Sequence, residues 1–150
     1  MMDLYHWALR FLVVSYGFLL RPRSDRVRCL ILREGKVLLV RNMGGREEWS
    51  LPGGGIKKNE SPIDAARREV VEELKLELTD VESLGIEEIE RDFMKVRAHL
   101  VSALARRVNF DPYKWEIREA GWFDVNNLPK PRSPLLKQAL KLHKNLLDKA

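Results

Sequence analysis

The 150-residue chain carries 27 Lys and Arg against 22 Asp and Glu, a net charge of +5, with 45% hydrophobic and 33% charged residues. That balance excludes a disordered polar chain and is most economically one domain around one hydrophobic core. The basic excess is moderate and dispersed, so it reads as a solvated surface that draws phosphates, with no dedicated nucleic-acid face expected.

Residues 4–20, LYHWALRFLVVSYGFLL, are strongly apolar. At about 100° per residue, Asp3, His6, Arg10, Gly17 and Arg21 fall in one narrow stripe, which predicts an amphipathic helix over 1–22 with a wide apolar face. Arg10 near the middle, and a length at the lower limit of the roughly 17–25 residues that span a bilayer, argue against a membrane crossing. No basic residue precedes Arg10 and RPRSDR stands where a small-residue cleavage site would be, which argues against a signal peptide. The helix is expected to pack on its own domain or across a homodimer. Peripheral contact with a membrane, aided by Arg21, Arg23, Arg26 and Arg28, is the alternative.

Pro22 breaks that element, and residues 23–150 are expected as one domain. VRCLILREGKVLLVRN reads as two strands around a Glu34-Gly35 hairpin turn. Cys29, the one cysteine, rules out an intramolecular disulfide and reads as a small buried hydrophobe in a cytoplasmic protein. NMGGREE is a loop, and WSLPGGG a short strand running into a turn. Ser61 as cap, Pro62 at the first helical position and Asp64 three residues after the cap predict a helix beginning at 61 or 62. LKLEL, VESLGIEEIE, FMKVRAHLVSALA and EAGWFDV read as strands. Ser133 and Pro134 then open a second amphipathic helix. This order implies an α+β or layered α/β domain.

On the first of these helices, Ile63, Ala66, Val70 and Leu74 form an apolar arc, and Glu69, Glu72 and Glu73 gather beside it, pointing at one patch of solvent. Taken alone, three glutamates also suit a solvated face balanced by Arg67, Arg68 and Lys75. Clustered acids are otherwise relieved by a cation, and oxygen ligands select hard ions such as Mg²⁺, Mn²⁺ or Ca²⁺. The Gly53, Gly54 and Gly55 run upstream lets backbone approach a ligand and lets a carbonyl join a metal shell. A partial acidic shell of this kind suits Mg²⁺ completed by substrate phosphates.

Gly54, Glu60, Arg68, Glu69, Val70, Glu72, Glu73 and Leu76 carry the spacing of the Nudix hydrolase signature, which the chain resembles at eight of nine positions. Lys75 stands where the family has glycine. WSLPGGG and EIREAGWFDVNNLP are similar to further family segments, so the resemblance covers residues 27–129. It implies an α/β/α sandwich with a mixed sheet between helices, the N-terminal helix being extra. It also implies a Mg²⁺-dependent hydrolase, with Mn²⁺ as substitute, that cleaves the phosphoanhydride of a nucleoside diphosphate linked to another moiety. A nucleotide sugar or similar small diphosphate is slightly preferred as substrate. Attack on a nucleoside triphosphate or an RNA 5′ end is the alternative, and a non-catalytic nucleotide-sensing module is the reading of another class.

In this resemblance Glu69, Glu72, Glu73 and the Gly53 carbonyl are the metal ligands, and Glu69 or Glu116 is the general base, with Glu119 a second candidate outside the signature. Arg68, counted with the catalytic group, pairs with Glu60 and holds the acids in register; Gly54 and Glu60 support the site. Arg41, Arg46 and Lys57 are candidate phosphate contacts, and Trp49 and Trp115 candidate faces for a base. His99 and Trp122 are expected to be structural.

Overall fold

The computed structural model describes residues 24–91 and 94–150. The helix expected over 1–22 lies outside them. Five strands, β1 (Ser24–Arg33), β2 (Lys36–Asn42), β3 (Leu78–Arg91), β4 (Met94–Ala105) and β5 (Ile117–Asp124), and two helices, α1 (Pro62–Leu74) and α2 (Pro134–Lys149), make up the fold. The strands lie in the order β3-β4-β1-β2-β5. β1 and β4 are parallel and every other pair is antiparallel.

Strand alternation decides which helix covers which face. Val27, Cys29 and Ile31 of β1 turn one way and join Ala66, Val70 and Leu74 of α1 in one core cluster. Leu30, with Leu39 of β2 and Leu100 of β4, turns the other way onto Leu136 and Ala139 of α2. Each buried leucine of these layers stabilises the fold by about 1.5–3 kcal/mol relative to exposure. The result is the expected α/β/α sandwich on a mixed sheet. Cys29 is fully buried, as expected, and burial pushes its thiol pKa well up, so it is inert as a nucleophile.

The local signals land where the sequence puts them. Glu34 and Gly35 both have positive φ (49° and 73°), the pattern of a two-residue hairpin turn. Ser61 Oγ accepts from the Asp64 N–H at 3.1 Å and Pro62 opens α1. Ser133 precedes α2 without a side-chain cap bond.

One expected strand is not there. LKLEL is the link between α1 and β3: Leu74 ends the helix, Lys75 is left-handed (φ 53°), and only Leu78 enters β3, which runs on through VESLGIEEIE. Asp80 (φ 50°) and Gly85 (φ 134°) mark the two places where β3 slips register against β4.

Candidate active site

β1 and β2 pair directly only beside their turn, at Leu32↔Val37 and Arg33↔Lys36. Beyond it, residues 50–56 wedge between them. The Cys29 N–H donates to Pro52 O at 2.8 Å, the Val27 N–H to Gly54 O at 2.9 Å, and Val40 and Ser50 exchange backbone bonds at 2.9 Å. At two of its positions the wedge leaves no room for a side chain. A Cβ at Gly53 (φ 146°) would run into the Val27 carbonyl, and one at Gly54 into the carboxylate of Glu69. Gly53 is therefore required by the approach of this loop to β1, and Gly54 by its approach to Glu69 of α1.

That approach changes the picture of the acids. The helical wheel places all three glutamates toward solvent, whereas Glu73 is 6% exposed, Glu69 half-buried and only Glu72 open. Glu73 lies under the wedge, where its Oε2 accepts the Gly53 N–H at 3.2 Å. Burial raises the Glu73 pKa and the Gly53 bond opposes it; the charges of Glu69 and Glu116 raise it further and Arg28 lowers it, leaving it pushed up to about 8.

Arg68 is the cation of the cluster, as expected. Nε and Nη2 grip Glu60 at 2.8 Å each, Nη1 donates to Glu69 at 2.9 Å and to Glu72 at 3.4 Å, and Nη2 reaches the Gly55 carbonyl at 2.9 Å. The Arg68 bonds, with the Lys57 N–H at 3.0 Å, hold the Glu60 pKa down to about 2. One guanidinium thereby ties the wedge, the loop before α1 and the acidic face of α1 together.

Among the described residues, no three His, Cys, Asp or Glu side chains converge closely enough to hold an ion between them. The donor chemistry nevertheless fits a hard divalent cation. Glu73 is a buried carboxylate beside two other carboxylates, an arrangement that favours the protonated acid until positive charge arrives. Glu69 and Glu72 are meanwhile occupied by Arg68.

The segment before β5 is clamped on the end of α1: the Tyr113 N–H donates to Glu73 O at 2.7 Å and the Asp111 N–H to Leu74 O at 2.8 Å. This puts Glu116 where its charge acts on Glu73. Glu119, by contrast, is bound to Arg41 at 2.7 Å. The two candidate bases thus separate, Glu116 toward the acids and Glu119 into an ion pair. Arg41 also lies over the Trp49 ring, 5.6 Å from its centroid, and Trp49 packs edge-on against Phe123 in the α2-side core. Trp115 is 66% exposed, near Glu116 in sequence. Lys57 meets Glu60 through its backbone N–H. His99 Nε2 stands 3.8 Å from Asp25, and Trp122 donates to Val108 O at 2.9 Å, both in structural settings.

A cavity of about 540 Å³ opens beside the wedge, lined by Arg26, Arg28 and Arg46 together with Glu48, Glu90 and an apolar floor that includes Leu51, Val96 and Ala98. Of its arginines, sequence reasoning singles out Arg46 alone as a phosphate contact. Arg26 and Arg28 sit at alternate positions of β1, and that period-2 signal, two cations on one face of a strand, is what marks them.

The NUDIX domain model matches residues 22–146. The chain belongs to the NUDIX family. An RNA pyrophosphohydrolase of Saccharophagus degradans is 49% identical over 53 residues, which is 35% of this chain and 31% of that protein. The m7GpppN-mRNA hydrolase dcap-2 of Caenorhabditis elegans is 31% identical over 141 residues, 88% of this chain but 16% of that one. The chain thus spans a third or less of the length of these relatives. Among solved structures, a MutT NUDIX hydrolase from Burkholderia pseudomallei superposes with a TM-score of 0.74 at 24% identity over 80% of this chain and 97% of that one. A UDP-X diphosphatase superposes at 0.69 and 21% identity, over 91% and 71%. Both likenesses speak for the fold alone.

Proposed function

We propose that this chain is a Mg²⁺-dependent pyrophosphohydrolase, with Mn²⁺ able to substitute, that cleaves the phosphoanhydride of a nucleoside diphosphate linked to another moiety. It acts in the cytoplasm as a homodimer. The observation that carries the reading is the buried carboxylate of Glu73 held against Gly53 and under the charge of Glu69 and Glu116, with Arg28 linking the Gly53 carbonyl to an arginine-lined cavity that the acids themselves do not line. Among the described residues no helix is long and apolar enough to cross a membrane.

Glu69, Glu72, Glu73 and the Gly53 carbonyl are the groups that would hold the cation. When bound, it supplies neutralisation of the charge developing on the diphosphate. Arg68 keeps the α1 carboxylates in register through Glu60. We assign Glu116, exposed and unengaged with Arg41, as the base that takes a proton from the attacking water, with Glu69 as the other candidate. Arg28 and Arg46 line the place where the phosphates would lie, and Trp115 offers an exposed face to a base.

The relatives named RNA pyrophosphohydrolase and m7GpppN-mRNA hydrolase favour a second reading, in which the diphosphate lies at an RNA 5′ end. A non-catalytic sensing module is disfavoured by the retention of every acid. A phosphate-release screen across nucleotide sugars, dinucleotides, triphosphates, and 5′-triphosphorylated and capped RNA separates them. Turnover should require Mg²⁺ and vanish with chelator, and Glu72→Gln should lower it by about a hundredfold or more. Turnover that survives chelation, or none on any substrate, overturns the reading.

A further inference from the structure

Arg28 belongs both to the acid cluster and to the cavity. The alternation of β1 sends Val27 and Cys29 to the α1 side and Arg28 to the other, where it lines the cavity with Arg26 and Arg46. The wedge then brings Gly53 beside it, and Arg28 Nη1 donates to the Gly53 carbonyl at 3.4 Å. The N–H of that same glycine holds the Glu73 carboxylate at 3.2 Å. The charge of Arg28 also favours ionised Glu73. Arg28 thus touches the carbonyl that a divalent cation would take, and its charge acts on the carboxylate beside that carbonyl.

We propose that Arg28 is a positioning residue that exchanges places with the metal: it holds the Gly53–Glu73 pair in register while no divalent cation is bound, yields to that cation, and turns its guanidinium onto a substrate phosphate in the cavity. The last step rests on the proposed function. A divalent cation at Gly53 and Glu73 would repel a guanidinium beside it, because like charges a few ångströms apart cost energy even at the surface. The long, forked side chain of arginine suits a bidentate grip on phosphate. Arg26 and Arg46 already make the cavity a place for anions, and Glu48 and Glu90 on its wall give the released guanidinium an anionic rest position before substrate arrives.

The test uses the full chain with Arg28→Ala and Arg28→Lys, and reads Mn²⁺ affinity by electron paramagnetic resonance of the free ion. Arg28→Ala should bind Mn²⁺ about threefold to tenfold more tightly, since a competing charge is gone, and Arg28→Lys should lie between it and the parent protein. With substrate, Arg28→Ala should raise KM by about tenfold or more, a larger change than in kcat, and Arg28→Lys should recover part of the loss. Unchanged or weaker Mn²⁺ binding in Arg28→Ala overturns the exchange, because Arg28 would then only brace the ligands. An unchanged KM overturns the phosphate contact. If Arg28→Ala does not fold, Arg28→Lys decides both points in the same directions. If the parent protein hydrolyses nothing, the functional reading fails while the Mn²⁺ titration still decides the exchange.

Discussion

Glu73 is an acid that the fold has covered. Its pKa, pushed up to about 8 from 4.5 chiefly by burial, means that the folded chain binds a proton there across a pH range in which the unfolded chain does not. Stability from this group is therefore fully present below about pH 4.5 and lost as pH rises through 8. Thermal melts without divalent metal should show the midpoint falling between those values, by a loss on the order of a few kcal/mol. Glu73→Gln, which keeps the shape and removes the charge, should flatten that slope and raise the midpoint at pH 8. A slope unchanged by the substitution would show that Glu73 titrates like an exposed acid. The covering was not legible in the sequence. A helical wheel knows the helix and not its neighbour, and the neighbour here is a glycine loop whose path between β1 and β2 depends on pairing between residues distant in the chain, Gly54 with Val27 and Pro52 with Cys29. The spacing that marks Glu73 as a ligand and the contact that buries it are separate kinds of information.

At the scale of elements, local chemistry foretold more. Ser61, Pro62 and Asp64 start α1 through short-range bonds that need no tertiary partner, and Glu34-Gly35 makes its hairpin for the same reason. LKLEL misled because its apolar alternation suits a strand, while the end of α1 sets the backbone. Lys75 adopts the left-handed conformation that a glycine would take there, and its N–H closes the helix on Val71 O at 3.0 Å. A non-glycine residue in that conformation costs roughly 1 kcal/mol. Lys75 is exposed, so little packing offsets it. Lys75→Gly should stabilise the protein by about 1 kcal/mol in urea unfolding, with turnover unaffected, because the change touches the turn and leaves the acids upstream of Leu74 in place. Destabilisation would mean that the Lys75 side chain contributes through the helix end more than its backbone costs.

For the whole molecule, the sheet is covered on one face by α1 and on the other by α2, each with its own buried cluster. The apolar stretch at 4–20 lies outside the described residues, and its sequence alone speaks for it. An amphipathic helix there would carry an apolar face too wide to be left in water, and a second copy of the chain is the cover we propose for it. The net charge of +5 permits the other cover, an acidic lipid surface. Removing residues 1–20 distinguishes them. The shortened chain should keep its melting temperature within a few degrees, since both buried clusters named above remain, and should sediment as a monomer where the full chain sediments as a dimer. Neither form should pellet with liposomes containing acidic lipid. Pelleting of the full chain that the deletion abolishes would assign the segment to a membrane interface, and a full chain that is monomeric without lipid would remove the dimer.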